Sequence, residues 1–187
     1  VTATELRAVD IVRIGHRGDG ETADGLYVPY TVPGDRVRVE PGDDRAKLVE
    51  ILAPGPSRAT PPCKHFALCG GCVLQHLETG AYREWKRDQI VQALSQRGIA
   101  NIDVAPLVAV EPRTRRRAVL TGRMVRDAAM IGFQERGTNF IVDLDECHVL
   151  HPELTALIAP LRKLLVGILP DSGRAEIDIT RTDIEHQ

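Results

Sequence analysis

The hydrophobic pattern of residues 1–55 predicts a small unit built from short β-strands. Between residues 36 and 40 charged side chains alternate with Val37 and Val39, so both valines face one side of a strand. Three further strands are predicted, at residues 5–14, 26–29 and 47–52. Turn clusters rich in glycine, proline and aspartate separate them. The pattern favours a small antiparallel barrel, whose fifth strand would come from a bend in the long first strand.

A proline-rich stretch follows this β unit. Residues 53–62 contain four prolines and one glycine, which prevent helix formation and stiffen the chain. We therefore predict three segments: a β unit at residues 1–55, a linker at residues 56–62 and an α+β domain at residues 63–187.

The pattern after the linker mixes helices with strands. One helix is predicted from Thr79, as its N-cap, to about Arg97. A second spans residues 152–168, and Pro160 should kink or interrupt it. Strands are predicted at residues 104–110, 118–125, 128–133, 139–142 and 176–180, with a hairpin turn at 126–127. The last strand comes shortly before Gln187, so we expect the domain to be incomplete at its C-terminus.

Composition is that of a globular protein with one larger or two small domains. The chain has 187 residues, of which 43% are hydrophobic, and a formal net charge of −2. That balance confines any nucleic-acid surface to a local patch. The sequence has no apolar run of membrane-spanning length and no signal peptide at its start. We expect a cytoplasmic monomer without membrane contacts, in which thiols stay reduced.

The four cysteines have the spacing of a metal centre. Cys63, Cys69 and Cys72 fall within ten residues, and 74 residues separate Cys72 from the fourth cysteine, Cys147. Structural zinc usually uses two pairs of closely spaced ligands, whereas three clustered cysteines and a lone fourth are common in iron–sulfur proteins. The spacing therefore favours iron–sulfur, with zinc as the alternative. Four histidines nearby are expected near the metal or at the surface rather than as ligands: His65, His76, His148 and His151.

Six arginines lie within fourteen residues, in a chain that is otherwise slightly acidic: Arg113, Arg115, Arg116, Arg117, Arg123 and Arg126. On a strand, Arg115 and Arg117 would face one side and Arg116 the other. Such a cluster can contact RNA phosphates. It can equally form a solvated hairpin face with ion pairs to nearby acids. The pattern alone leaves these two interpretations open.

Together these motifs resemble the iron–sulfur-containing RNA uracil-5-methyltransferases, which act on ribosomal or transfer RNA. The segment from Gly18 to Val37 is similar to the family's TRAM domain, an OB-like RNA-binding barrel. Residues 62–76 closely resemble its cluster motif, and residues 132–150 resemble the segment that carries the fourth ligand. Residues 115–120 resemble its arginine strand, although Thr114 replaces the usual tyrosine.

The resemblance implies a 4Fe–4S cluster on Cys63, Cys69, Cys72 and Cys147. It also implies RNA contacts, which we assign to Arg115, Arg116, Arg117 and Arg123, with ribosomal RNA favoured and transfer RNA possible. The family's Rossmann-like domain, which binds S-adenosylmethionine and carries the catalytic cysteine and acidic base, has no counterpart in these 187 residues. We therefore expect no catalytic or S-adenosylmethionine-binding residue here and no activity from this chain alone. A zinc-stabilised RNA-binding module and a ferredoxin-like electron carrier are the alternatives.

Overall fold

A computed structural model describes residues 5–182, and these form two compact units. Unit 1 comprises the described residues up to Pro61 together with Val73–Ala109. Unit 2 comprises Pro62–Cys72 and the described residues from Val110 onward. This grouping assigns residues 73–109 to unit 1, whereas the sequence assigned them to the second domain. Whether the predicted boundary separates domains that fold independently stays a prediction, and the predicted ends at residues 1–4 and 183–187 lie outside the described residues.

Unit 1 contains a curled five-stranded antiparallel sheet. Its strands are β1 Arg7–Ile14, β2 Gly20–Thr22, β3 Tyr27–Val28, β4 Arg36–Glu40 and β5 Lys47–Ala53, in the order β3-β2-β1-β4-β5. A β-bulge between Ile11 and Arg13 bends β1, so its first half pairs with β4 and its second half with β2. The Tyr27 N–H donates to the Asp44 carbonyl over 3.0 Å, so β3 also contacts the segment just before β5. The curled sheet is compatible with the predicted OB-like barrel.

The interior of this sheet confirms the predicted core face of β4. Val37 and Val39 are fully buried among other apolar side chains of the core: Ile11, Leu26, Val28 and Ala46. The predicted origin of the fifth strand was wrong, since it is β2, which begins at the last residue of the turn cluster predicted at residues 15–20. A strand of three residues is too short to show an alternating pattern. Contacts with β1 stabilise β2 instead, as in the 2.5 Å ion pair between Glu21 and Arg13.

A buried ion pair fastens the turn before β4 to the proline-rich stretch. The Asp35 carboxylate is fully buried and accepts hydrogen bonds from the Val32 and Gly55 amides at 2.7 and 2.8 Å. The Arg58 guanidinium binds both carboxylate oxygens, with its Nε 2.9 Å from Oδ1, and also donates to the Tyr30 carbonyl. Burial would raise the pKa of Asp35, but these hydrogen bonds outweigh it and lower that pKa.

The single helix of unit 1, α1, spans Thr79–Ser95. Its N-cap is Glu78, whose carboxylate accepts from the Ala81 amide over 3.0 Å, so the prediction of Thr79 as the cap was wrong by one residue. The predicted strand at residues 104–110 was also wrong. Its apolar residues remain largely exposed, as Val108 is at 89%, and within the described chain no strand pairs with this segment. An alternating sequence cannot form a strand without a hydrogen-bonding neighbour.

Unit 2 consists of a four-stranded antiparallel sheet and two helices. Its elements are β6 Arg117–Val125, β7 Ala128–Gln134, β8 Ile141–Asp143, α2 Pro152–Ala156, α3 Ile158–Ile168 and β9 Arg174–Thr180, with strand order β8-β7-β6-β9. Helix α3 packs on β6 and β7, and Leu165 and Ile158 join Leu120 and Ile131 in an aliphatic core. Along β6 buried and exposed residues alternate, so the opposite face of the sheet is exposed.

Two local predictions for unit 2 are confirmed. The hairpin turn lies at residues 126–127, where Val125 pairs with Ala128. The predicted long helix is interrupted between α2 and α3, three residues before Pro160. Pro160 has no N–H to donate to the Ala156 carbonyl, and its ring collides with that carbonyl, so the helix breaks there.

The described residues therefore have the predicted α+β class. All pairings between the named strands are antiparallel, so residues 5–182 contain no doubly wound parallel sheet. No helix in this range has the length and apolar character needed to cross a membrane.

Candidate metal centre and basic sheet face

Three of the cysteines lie in an irregular loop, Pro62–Cys72, that belongs to unit 2. Successive turns shape this loop: the Phe66 amide donates to the Cys63 carbonyl over 3.1 Å, and the Cys69 amide donates to the His65 carbonyl over 2.8 Å. Ala67 has a positive φ of 73°, an uncommon conformation for a residue with a Cβ. The loop therefore turns back on itself between its first and second cysteine.

The second cysteine is held against the end of β7. Cys69 forms an isolated bridge with Glu135, and the Gly70 amide donates to the Gln134 carbonyl over 2.8 Å. A Cβ at Gly70 would lie 2.8 Å from that carbonyl oxygen and 3.2 Å from the Arg136 amide. Only glycine fits this approach of two backbones without a shift. The glycine pair between Cys69 and Cys72 thus seats the loop on the sheet.

Cys147 reaches the same region from the segment that follows β8. Two residues before it, Asp145 pairs with Lys64 at 2.6 Å and with His65 at 2.9 Å, directly after Cys63. These hydrogen bonds lower the pKa of Asp145 to about 2 and keep it ionised. Asp145 therefore ties the segment of the fourth cysteine to the segment of the first, across 81 positions of sequence.

The four thiols influence one another electrostatically. Cys69 is buried, and burial raises the pKa of its thiol. The Gly71 amide, 3.5 Å from its Sγ, opposes that shift, while Cys72, Cys147 and Cys63 each raise the pKa further. A metal cation bound here would oppose that shift by compensating the charge of the Cys69 thiolate.

A single metal ion and a cluster require different arrangements of their ligands. One tetrahedral zinc would need four sulfurs at about 2.3 Å from a common centre. Among residues 5–182 no three His, Cys, Asp or Glu side chains are gathered closely enough for one ion. A 4Fe–4S cluster binds each thiolate through a different iron, so its ligands stand farther apart. None of the four cysteines forms a disulfide.

The four nearby histidines have other contacts. His65 pairs with Asp145, and His148 lies 4.0 Å from Glu146. His151 caps α2, with its Nδ1 accepting from the Glu153 amide over 3.3 Å. His76 belongs to unit 1, where it is buried with its Nε2 3.3 Å from the Thr31 carbonyl, and burial lowers its pKa.

The structure separates the four predicted RNA-binding arginines into two groups. Arg117 and Arg123 project from the exposed face of β6. Arg115 and Arg116 precede β6, and the Arg115 backbone instead pairs beside Leu150, so the predicted alternation of faces does not extend to them. All four side chains are exposed.

Their charge partners also differ. Arg117 forms a 2.5 Å ion pair with Asp178 on β9, as the hairpin interpretation expected. This contact lowers the pKa of Asp178 and raises that of Arg117. Arg123 instead pairs in register with Arg174 of β9. No local sequence pattern indicated Asp178 or Arg174 as neighbours, because each lies more than 50 positions away and only the β6–β9 register brings them close.

A groove of about 420 Å³ connects the cysteine loop with the exposed sheet face. Gly70 and Gly71 line it on one side, and Val119 and Thr121 of β6 line it on the other, with residues 133–137 closing the end. The loop and the basic face are therefore adjacent parts of one surface of unit 2.

No family model matches the chain, but curated relatives do. It is 41% identical over 186 residues to an uncharacterized RNA methyltransferase of Brucella suis, covering 98% of this chain and 45% of the relative. It is 40% identical over 189 residues to another from Caulobacter vibrioides, covering 96% and 45%. It is 39% identical over 184 residues to the 23S rRNA (uracil(1939)-C(5))-methyltransferase RlmD of Chromohalobacter salexigens, covering 93% and 39%.

The chain belongs to this family of RNA methyltransferases. The expected family resemblance is thereby confirmed. The chain spans less than half the length of the relatives described above, as 45% of the Brucella suis protein shows. The activity of the complete RNA methyltransferases is therefore only proposed for this chain.

Proposed function

We propose that this chain is the RNA-recognition and iron–sulfur-binding part of an S-adenosylmethionine-dependent RNA uracil-5-methyltransferase, with ribosomal RNA as the substrate of the complete enzyme. The observation that carries the proposal is the convergence of all four cysteines on one region of unit 2, in a chain related to RNA methyltransferases. The similarity to RlmD, described as a 23S rRNA uracil methyltransferase, supports the choice of uracil and of ribosomal RNA. Disulfide-free cysteines agree with a cytoplasmic protein.

In this proposal Cys63, Cys69, Cys72 and Cys147 hold a 4Fe–4S cluster. When bound, a cluster with four thiolate ligands has no open coordination position, so it supplies a structural or sensing function rather than a binding site for substrate. The chain's own residues prepare the site. Gly70 seats the loop on β7, the Gly71 amide points at a sulfur, and Asp145 holds the two ligand segments together.

Anaerobic purification followed by metal and sulfide analysis tests this assignment. The expected result is a brown protein with iron and acid-labile sulfide in equal amounts. A colourless protein with stoichiometric zinc and full RNA binding would replace the cluster with the zinc alternative. Reversible redox cycling without RNA affinity would favour the electron carrier.

RNA contacts are proposed for Arg115, Arg116, Arg117 and Arg123, together with unit 1 as a TRAM-like domain. Their support is the exposure of all four side chains. Binding of a 23S rRNA fragment at low salt is expected, and it should weaken when Arg115 and Arg117 are both replaced by alanine. Lys163→Ala is the control, since Lys163 is exposed on α3, on the other side of the sheet. Absence of RNA binding by the wild-type chain at low salt would contradict the recognition function.

Methyl transfer is proposed to require residues outside this chain. In the complete enzyme a thiolate would add to uracil, the activated carbon would accept the methyl group and a base would remove the proton. The four cysteines of this chain are already assigned to the metal. Incubation of the 187-residue chain with RNA and labelled S-adenosylmethionine should therefore give no labelled RNA, and robust labelling would overturn this part of the proposal.

A further inference from the structure

Arg123 and Arg174 form a like-charge pair across two strands of unit 2. They are register partners in the antiparallel pairing of β6 and β9. Both side chains are exposed and lie on the face of the sheet opposite α3. Residues directly opposite one another in such a pairing have Cβ atoms about 5 Å apart. The register therefore brings two guanidinium groups within reach of a common ligand.

This pair has no compensating acid within the described chain. Neither Arg123 nor Arg174 takes part in an ion pair or a side-chain hydrogen bond with any residue in the range 5–182. The nearest acids by register and sequence are Glu176, two pairs along the ladder, and Asp127, in the adjoining turn, and neither forms an ion pair with the two arginines. Like charges placed directly opposite each other destabilise a sheet. An anion between them would remove that cost.

The contrast with Arg117 makes the observation specific. Arg117 lies on the same face of β6, six residues before Arg123, and Asp178 of β9 neutralises it at 2.5 Å. The same two strands thus pair one arginine with an acid and another with an arginine. At about 3.3 Å per residue the two positions are roughly 20 Å apart, so a bound strand of nucleic acid can span both.

We propose that Arg123 and Arg174 together bind one phosphate of an RNA strand that crosses the exposed sheet face toward the groove beside Gly70 and Gly71. Two guanidinium groups can donate several charge-assisted hydrogen bonds to one phosphate, a geometry that lysine does not reproduce. This inference rests on the proposed RNA recognition and adds Arg174, which the sequence did not single out. It also makes Arg123 and Arg174 a single site rather than two independent contacts.

The first test compares RNA binding by Arg123→Gln, Arg174→Gln and the double variant over a range of salt concentrations, with a single-stranded RNA oligonucleotide as probe. Each single variant should bind several-fold more weakly, to a similar extent for different sequences. The slope of log K against log salt should fall in magnitude by about 0.7, the value for one phosphate contact on a single strand. Lys163→Gln removes one charge from α3 and should leave the slope unchanged.

The double variant decides whether the two arginines share a phosphate. Either single variant already loses the one phosphate contact. The double variant should therefore bind RNA only slightly more weakly than either single variant, and its slope of log K against log salt should equal theirs. Additive losses with two slope changes would overturn the shared site. Single variants that behave like Lys163→Gln would overturn any contact at this pair.

A second measurement separates this inference from the proposed function. Inorganic phosphate should raise the melting temperature of the wild-type chain more than that of either variant, whether or not RNA binds. If wild-type chain fails to bind RNA but keeps this phosphate effect, RNA recognition fails while the pair stands as an anion site. Equal phosphate effects in all variants would overturn the site itself. Binding of polyglutamate through the same arginines as tightly as RNA would overturn RNA as the occupant.

Discussion

The interiors of the two units differ in the interactions that stabilise them. All six buried polar or charged side chains identified in residues 5–182 belong to unit 1: Asp19, Glu21, Thr22, Thr31, Asp35 and His76. The aliphatic core of unit 2 is larger, with eleven buried residues against six in unit 1, but its cysteine loop lies outside any regular element. Unit 1 thus depends on buried hydrogen bonds, and unit 2 on aliphatic packing and, as we propose, on a metal.

Because of this difference, we expect the two units to unfold under different conditions. Breaking a buried ion pair leaves an uncompensated charge, which is costly in a small core. Removing a metal ligand leaves a loop that has few hydrogen bonds of its own to maintain it. Ligand loss should therefore affect unit 2, while the loss of Arg58 should affect unit 1.

The largest expected effect is that of Cys147→Ser. Metal binding to structural sites contributes on the order of 10 kcal/mol to folding, so loss of one ligand should abolish the metal content and expose residues 62–72 to proteolysis. Metal analysis and limited proteolysis measure both outcomes. Leu68→Ser, at an exposed position of the same loop, should keep the metal and its protection. Undiminished iron and sulfide in Cys147→Ser would contradict the assignment of this ligand.

Arg58→Ala should produce the next largest effect, confined to unit 1. It leaves the fully buried Asp35 carboxylate without its cation, at an expected cost of about 3–5 kcal/mol in the free energy of unfolding. Trp85, the single tryptophan, lies in unit 1 and reports its unfolding by fluorescence. Arg36→Ala breaks only an exposed 3.5 Å pair with Asp10 and should cost about 0–1 kcal/mol. Equal costs for the two variants would refute the importance of burial here.

Gly70→Ala should destabilise unit 2 by about 1–3 kcal/mol, because the new Cβ collides with the Gln134 carbonyl and the two backbones must separate. The matched control is Gly167→Ala in α3, where no atom lies within 4 Å of a new Cβ. Helix propensity should there increase stability by about 0.5–1 kcal/mol. Denaturant unfolding followed by circular dichroism compares them, and a neutral Gly70→Ala would show that the loop can move away from β7 freely.

The smallest expected effect is an acid sensitivity of unit 1. Burial lowers the pKa of His76, so the unfolded chain binds its proton more readily, and unit 1 should lose stability as pH falls below about 6.5. Asp35, with a lowered pKa, adds stability that is complete above about 3.9 and is lost as pH falls through its folded pKa. Trp85 fluorescence in denaturant at several pH values measures both. In His76→Gln the loss near pH 6 should disappear, and an unchanged profile would assign it to another group.

Local sequence patterns were enough to predict several elements correctly. The alternation around Val37 and Val39, the break at Pro160 and the hairpin at residues 126–127 all depend on neighbours within a few positions. The failures share a different cause. Strand β2 and the unpaired segment at residues 104–110 depend on whether another strand lies alongside, which no local pattern reveals. The N-cap was misplaced because Glu78 supplies the oxygen that Thr79 was expected to supply.

The residue types of the candidate site could be predicted from the sequence: four thiols, two adjacent glycines and a cluster of arginines. Spacing and side-chain chemistry fix those properties, since thiols near one another along the chain must stay near in space. Tertiary structure alone decided how the distant residues join them. Asp145 reaches Lys64, Asp178 neutralises Arg117, and Arg174 faces Arg123, because strand register and loop contacts bring together positions 51 to 81 residues apart. Electrostatic partners act through space, so whether the charge of each arginine is compensated by an acid is decided only when the sheet has formed.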